Sequence, residues 1–239
     1  MHIALPTSLV LTFVVVGCAS TPGAGPQDMS AAQHETTAAR EGAGARDHAS
    51  QYDPAASVTQ SECTPQEGAA GPLAPICWES ATNPTDEHRR DAAAQMKSAA
   101  AHRAAADNLR NAEAKACAGV NPRDRDMSPF YHRESVLRVD ALEAPPRNVP
   151  GTRDLEGATV IFKPVTGLTT ASLQKIVDCH LERNASVGFE MPEMSYCPLS
   201  VKGASAKVTA VSDGFAVTIR GANTAASKQI WDRAATLRK

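Results

Sequence analysis

Aromatic side chains are scarce in this chain of 239 residues, with five Phe, three Tyr and two Trp. They are also unevenly placed. Phe130, Tyr131, Phe162, Phe189, Tyr196, Phe215 and Trp231 all follow Ser128, and residues 18–128 hold only Tyr52 and Trp78. Large rings dominate core energetics, so the packed core is expected in the C-terminal part. A basic excess is missing too: 24 Lys and Arg against 26 Asp and Glu leave a formal charge of -2. Phosphate backbones require a clustered cationic excess, so no nucleic-acid partner is expected.

Several signatures of chemistry are absent. There is no Cys-x-x-Cys for a thioredoxin-type centre and no Cys-x-x-Cys-His for covalent haem. A Gly-rich phosphate loop, a Gly-x-Ser-x-Gly elbow and a His-Glu-x-x-His zinc helix are missing as well. Ser172-Leu-Gln-Lys175 fits the Ser-x-x-Lys pattern of penicillin-binding enzymes. However, Lys202-Gly203 precedes Ser212-Asp213-Gly214, where that pattern puts its Lys-Gly element last, and so short a domain cannot build the two-domain site. The chain reads as a protein that is not an enzyme.

The first seventeen residues carry no acidic or basic side chain apart from His2, and Ile3 to Val16 is largely apolar. Such a stretch suits a signal-peptide core and is short for a hydrocarbon span of about 30 Å. It ends in Val15-Val16-Gly17-Cys18-Ala19-Ser20. This resembles the lipobox of bacterial lipoprotein precursors, in which small residues precede a Cys that becomes the lipidated first residue. Val15 stands where that family usually has Leu, and the usual leading Lys or Arg is missing. The resemblance implies acyl chains on Cys18 as a membrane anchor, with Ala19 pointing to the outer membrane and a periplasm-facing protein. Cleavage by ordinary signal peptidase, or a plain membrane anchor, is the alternative.

Residues 18–62 are rich in Ala, Gly, Ser, Thr, Gln and Pro without an apolar period, which predicts a disordered linker. Cys63 and Cys77 then bracket a Pro- and Gly-rich loop segment, residues 63–83. An exported protein meets an oxidising compartment, so disulfides are expected. Spacing suggests Cys63 with Cys77 and Cys179 with Cys197, leaving Cys117 over. Residues 84–119 lack internal Gly and Pro and predict one long Ala-rich helix of about 50 Å. His88 and His102 share a face of it but lie about 21 Å apart along the axis, too far for one ion, and read as solvated. Its Ala stripe suits close packing against another helix or a protein partner.

Residues 130–239 predict a small domain of the α+β class, ββαββα, with two helices on one face of an antiparallel sheet. Asp124-Arg-Asp-Met-Ser-Pro-Phe-Tyr-His132 leads in as a loop that docks Phe130 and Tyr131, with His132 beside Asp124 or Asp126 as an imaginable acid–base pair. Strands are expected at Val136–Leu142 and Ala158–Val165, and a helix capped by Thr169 or Thr170 buries Leu173, Ile176, Val177, His180 and Leu181. Asp213-Gly214 reads as a two-residue turn that places Val208 opposite Ile219 and Ala210 opposite Val217. A last helix runs from about Thr224 to Leu237.

Asp178-Cys179-His180, Tyr196-Cys-Pro-Leu199, Ala116-Cys-Ala-Gly119 and Asp124-Arg-Asp126 are carried over residues 88–237. In these the chain is similar to a family of uncharacterised exported bacterial proteins, a likeness that implies no activity. The one suggestive ligand set is Cys179, His180, Met191, Met194 and Cys197, because thiolate and thioether donors favour copper as Cu(I). Against it, Cys179 and His180 are adjacent on a helix and their side chains diverge. The favoured expectation is therefore a lipid-anchored envelope module without a cofactor, and the alternative is a periplasmic copper-binding protein centred on residues 179–197.

Overall fold

The computed structural model describes residues 23–68, 71–144 and 153–238. The signal peptide and Cys18 lie outside these residues. The described chain is an α+β structure with five α-helices and two small antiparallel sheets.

Of the disordered linker expected over residues 18–62, residues 18–22 lie outside the described residues, and Ala31–Gln51 is helical instead. Ala31–Gln51 forms helix α1, started by a capping box in which the Ser30 side chain accepts from the Gln33 backbone and Gln33 reaches back to Ser30. Reciprocal caps of this kind satisfy two otherwise orphaned donors. Composition misled here because Gly42 and Gly44 each cost a helix about 1 kcal/mol relative to Ala. Tertiary packing offsets that cost: Ala31, His34, Ala38, Gly42 and Ala45 are all buried against helix α2, Asp86–Cys117. The two helices run antiparallel, with His34 beside His102 and His48 beside His88. The long helix of the sequence reading thus exists as one half of a helical arm, and its Ala stripe is covered by α1 of the same chain.

Between the two helices stands a ribbon of strands β1 (Val58–Gly68) and β2 (Gly71–Thr82), where the sequence suggested a loop. Cys63 lies directly opposite Cys77 and is bonded to it. Neither strand packs appreciably on any other element among the described residues.

The head follows the arm. A short helix α3 (Pro122–Asp126) leads to strand β3 (Val136–Glu143), strand β4 (Leu155–Phe162) and helix α4 (Thr170–Ser186). Strands β5 (Ala204–Val211) and β6 (Gly214–Gly221) and helix α5 (Thr224–Ala235) complete it. The sheet order is β3-β4-β6-β5, so Pro164 falls beyond the end of a central strand, where its missing N–H costs no ladder bond. Ala158, Val160 and Phe162 of β4 join Val217 and Ile219 of β6, Leu173 and Val177 of α4, and Ile230 and Ala234 of α5 in one buried cluster.

The hairpin turn differs from its expected register. Val208 pairs with Val217 and Ala206 with Ile219, which leaves Ser212-Asp213 as the two turn residues and makes Gly214 the first residue of β6. Gly214 has φ +138°, and a Cβ there would stand 2.1 Å from the Phe162 carbonyl oxygen. The glycine is needed for close approach to β4 and is not free to serve as the turn's second residue.

Helix α4 lies between the sheet and the foot of α2. One flank gives Leu173 and Val177 to the sheet, and the other carries Cys179, bonded to Cys117. Ala185 joins Ala31, Ala106 and Leu109 in a second, smaller apolar cluster, which Phe189 borders. Gly188, at φ +78°, lets the Ser30 backbone come so close that an added Cβ would sit 2.9 Å from Ser30 Cβ.

Candidate functional site

The segment 179–197 carried the expected ligand set, and its side chains have other employment. Cys179 is fully buried and linked to Cys117, so the expected Cys179–Cys197 bridge is not formed. The reason lies in packing: the flank of α4 that bears Cys179 faces α2, whereas Cys197 points into the core of the head. Cys197 remains a thiol, accepts a hydrogen bond from Ser128 Oγ at 3.2 Å, and is pushed up in pKa by burial. A protonated, buried thiol is a poor nucleophile and a poor ligand.

His180 is fully buried, and its Nε2–H donates to the Asp124 carbonyl at 2.8 Å. Burial is the main cause that holds its pKa below the ordinary imidazole value. Its Nδ1 is buried without a partner. The ring therefore pins α3 against α4, beside the Arg183 guanidinium, which bridges Glu113 at 3.7 Å and Asp126 at 3.2 Å. Met194 is buried in the head's core and Met191 packs at its edge. The copper reading of Cys179, His180, Met191, Met194 and Cys197 fails on this geometry, because one sulfur is oxidised, the imidazole is committed to a carbonyl, and Met194 and Cys197 serve as core.

Phe130 is fully buried and stacks on Phe162 at 5.5 Å between centroids, while its neighbour Tyr131 stays exposed. His132 pairs with Glu134 at 2.8 Å instead of Asp124 or Asp126, and both side chains are exposed. Ser172 of the Ser-x-x-Lys pattern is the third residue of a capping box with Thr169, whose N–H it accepts at 2.9 Å. That engagement explains the motif without any chemistry.

The arm holds what the sequence reading missed. His34 Nδ1 lies 3.0 Å from His102 Nδ1 in a fully buried contact, and His48 Nδ1 lies 3.2 Å from His88 Nδ1 nearer the ribbon. In each pair one ring donates its Nδ1–H and the other accepts, so both rings cannot carry Nδ1 protons together. Burial, aided by the neighbouring His34 ring, holds the His102 pKa below its ordinary value. The signal was present in the sequence, because His34 and His48 repeat the 14-residue spacing of His88 and His102. Ala31, Ala38 and Ala45 keep the same heptad.

The ribbon is the second unusual surface. Ile76 and Trp78 are 53% and 47% exposed, and they share one face opposite Thr64 and Glu62. The Cys63–Cys77 link lies on the other face, since side chains alternate along a strand. No helix among the described residues is long and apolar enough to cross a membrane. No family model, curated protein or solved structure matches this chain.

Proposed function

We propose that the protein is an exported, lipid-anchored envelope protein that acts as a non-catalytic interaction module. Acyl chains on Cys18 hold it at the membrane, in the outer membrane facing the periplasm, and the arm offers the ribbon to a protein partner. The observation that carries this reading is the ribbon itself. A lone two-stranded hairpin is at best marginally stable in water. Here one is clasped by a disulfide, packs appreciably on no other element among the described residues, and has a half-exposed Ile76 and Trp78 on one face. Trp side chains enriched at interface centres supply large contact area at small entropic cost. Two disulfides suit an oxidising compartment. The head, in which α4 and α5 pack into one cluster with the sheet, supplies a base for the arm.

The test is photo-crosslinking in cells with a photoreactive residue at Trp78 or, as a control, at the exposed Lys228 of α5. Discrete crosslinked species from position 78 that are absent from position 228 support the reading. Equal or absent crosslinking at both overturns it. The anchor is tested separately by palmitate labelling, which Cys18→Ser should abolish.

A further inference from the structure

The outer histidine pair of the arm has the geometry of a metal site. His48 comes from α1 and His88 from α2, and their Nδ1 atoms face each other at 3.2 Å. With Zn–N bonds of about 2.0–2.1 Å, that separation subtends an angle of about 100° at a shared ion, close to the tetrahedral value. Asp91, one turn beyond His88 on the same face of α2, places Oδ2 3.9 Å from His48 Nδ1. Arg89, the nearest competing cation in sequence, is turned elsewhere: it bonds Asp86 at 3.1 Å and lies over the Tyr52 ring at 5.9 Å. The His48 and Asp91 side chains are 28% and 46% exposed, so an ion and its waters can enter.

We infer that His48, His88 and Asp91 form a binding site for a divalent first-row transition-metal ion, with the two imidazoles and one carboxylate as protein ligands and water in the open position. Imidazole nitrogen with carboxylate oxygen suits Zn²⁺, Cu²⁺ or Ni²⁺. As the side chains stand, no group of three or more His, Cys, Asp or Glu among the described residues could hold a metal ion. The site is accordingly an open one, in which Asp91 moves in by side-chain rotation as the ion arrives. The ring that donates its Nδ1–H in the metal-free pair gives that proton to solvent and takes one up at Nε2, so both rings stay neutral and both Nδ1 lone pairs face the metal.

The inner pair is a poorer host. His34 is fully buried, and its Nε2 lacks a partner. One ion per arm is therefore the expected stoichiometry. Bound there, it crosslinks α1 to α2 near the ribbon, so that metal binding stiffens the end of the arm.

The experiment is calorimetric titration of the full chain in detergent with ZnCl₂ alone, repeated with His48→Ala, His88→Ala, Asp91→Asn and the control His132→Ala. The expected result is one Zn²⁺ per chain, with affinity reduced at least about tenfold in either histidine variant, several-fold in Asp91→Asn, and unchanged in His132→Ala. Circular dichroism of each variant verifies the fold, which these partly exposed positions should not disturb. Absence of binding in the parent chain, or binding that persists in folded His48→Ala and His88→Ala, overturns the inference and leaves the pair as a hydrogen bond only.

Discussion

Replacing Cys117 and Cys179 together by alanine removes the bond that ties the foot of the arm to the head. The two cysteines are 62 residues apart in sequence. In the chain-entropy account a loop of that length is worth about 4 kcal/mol, and the 14-residue Cys63–Cys77 loop about 3. These similar figures act on different parts. The Cys117–Cys179 link spans α3, both strands β3 and β4, and most of α4, so its loss should lower the global melting temperature. For a chain of this size about 4 kcal/mol corresponds to roughly 8–16 °C. The ribbon packs appreciably on no other element among the described residues, so Cys63→Ala with Cys77→Ala should loosen it locally and move the main transition by only about 2 °C or less. Differential scanning calorimetry under non-reducing conditions measures both. Peptide mapping of the unreduced protein fixes the connectivity independently, with Cys117 joined to Cys179 and Cys197 alkylated only after denaturation. A Cys179–Cys197 peptide, or two double variants that melt alike, would refute the reasoning.

Phe130→Ala empties a site that is fully closed over Phe162 and should cost about 3–5 kcal/mol in urea unfolding. Gly188→Ala combines a left-handed backbone with contact on Ser30, so it should weaken docking of α1 on the head and raise amide exchange over Ala31–Gln51. His102 and His180 both have depressed imidazole pKa values, with burial the leading cause in each. The folded state then favours neutral rings, the unfolded state binds more protons below about pH 6.5, and stability is complete above that value and falls as the pH drops through it. Melting temperatures between pH 7.5 and 5 should show the decline, reduced in His180→Gln.

Individual helices and strands of the head were legible because they announce themselves locally. Thr169 and Asn223 cap their helices, the strands are short apolar runs, and the residues before Pro164 end β4. The arm was not, because α1 has almost no large apolar residue and derives its stability from fitting small side chains against α2. Read alone, Ala31–Gln51 resembles a polar linker; read beside α2, its heptads answer those of its partner. The same gap hid the histidine pairs, since His88 and His102 are far apart on one helix and acquire near neighbours only from another. The cysteine pairing failed for a related reason. Local spacing favoured Cys179 with Cys197, but the choice was made by which flank of α4 meets α2.

The antiparallel pairing has a consequence for the arm as a measuring rod. His34 meets His102 and His48 meets His88, fourteen residues on along each helix in opposite directions. A slip of one heptad would bring His34 level with Leu109 and leave a buried imidazole facing hydrocarbon. Register is thus held from within, and length becomes modular. Excising residues 35–41 from α1 and 95–101 from α2 keeps both histidine pairs aligned and shortens the arm by about 10 Å, whereas a cut in one helix alone misaligns every rung between the head and the ribbon. The distance between the head and the exposed Trp78 is then written in whole heptads, and can be reset only in paired steps.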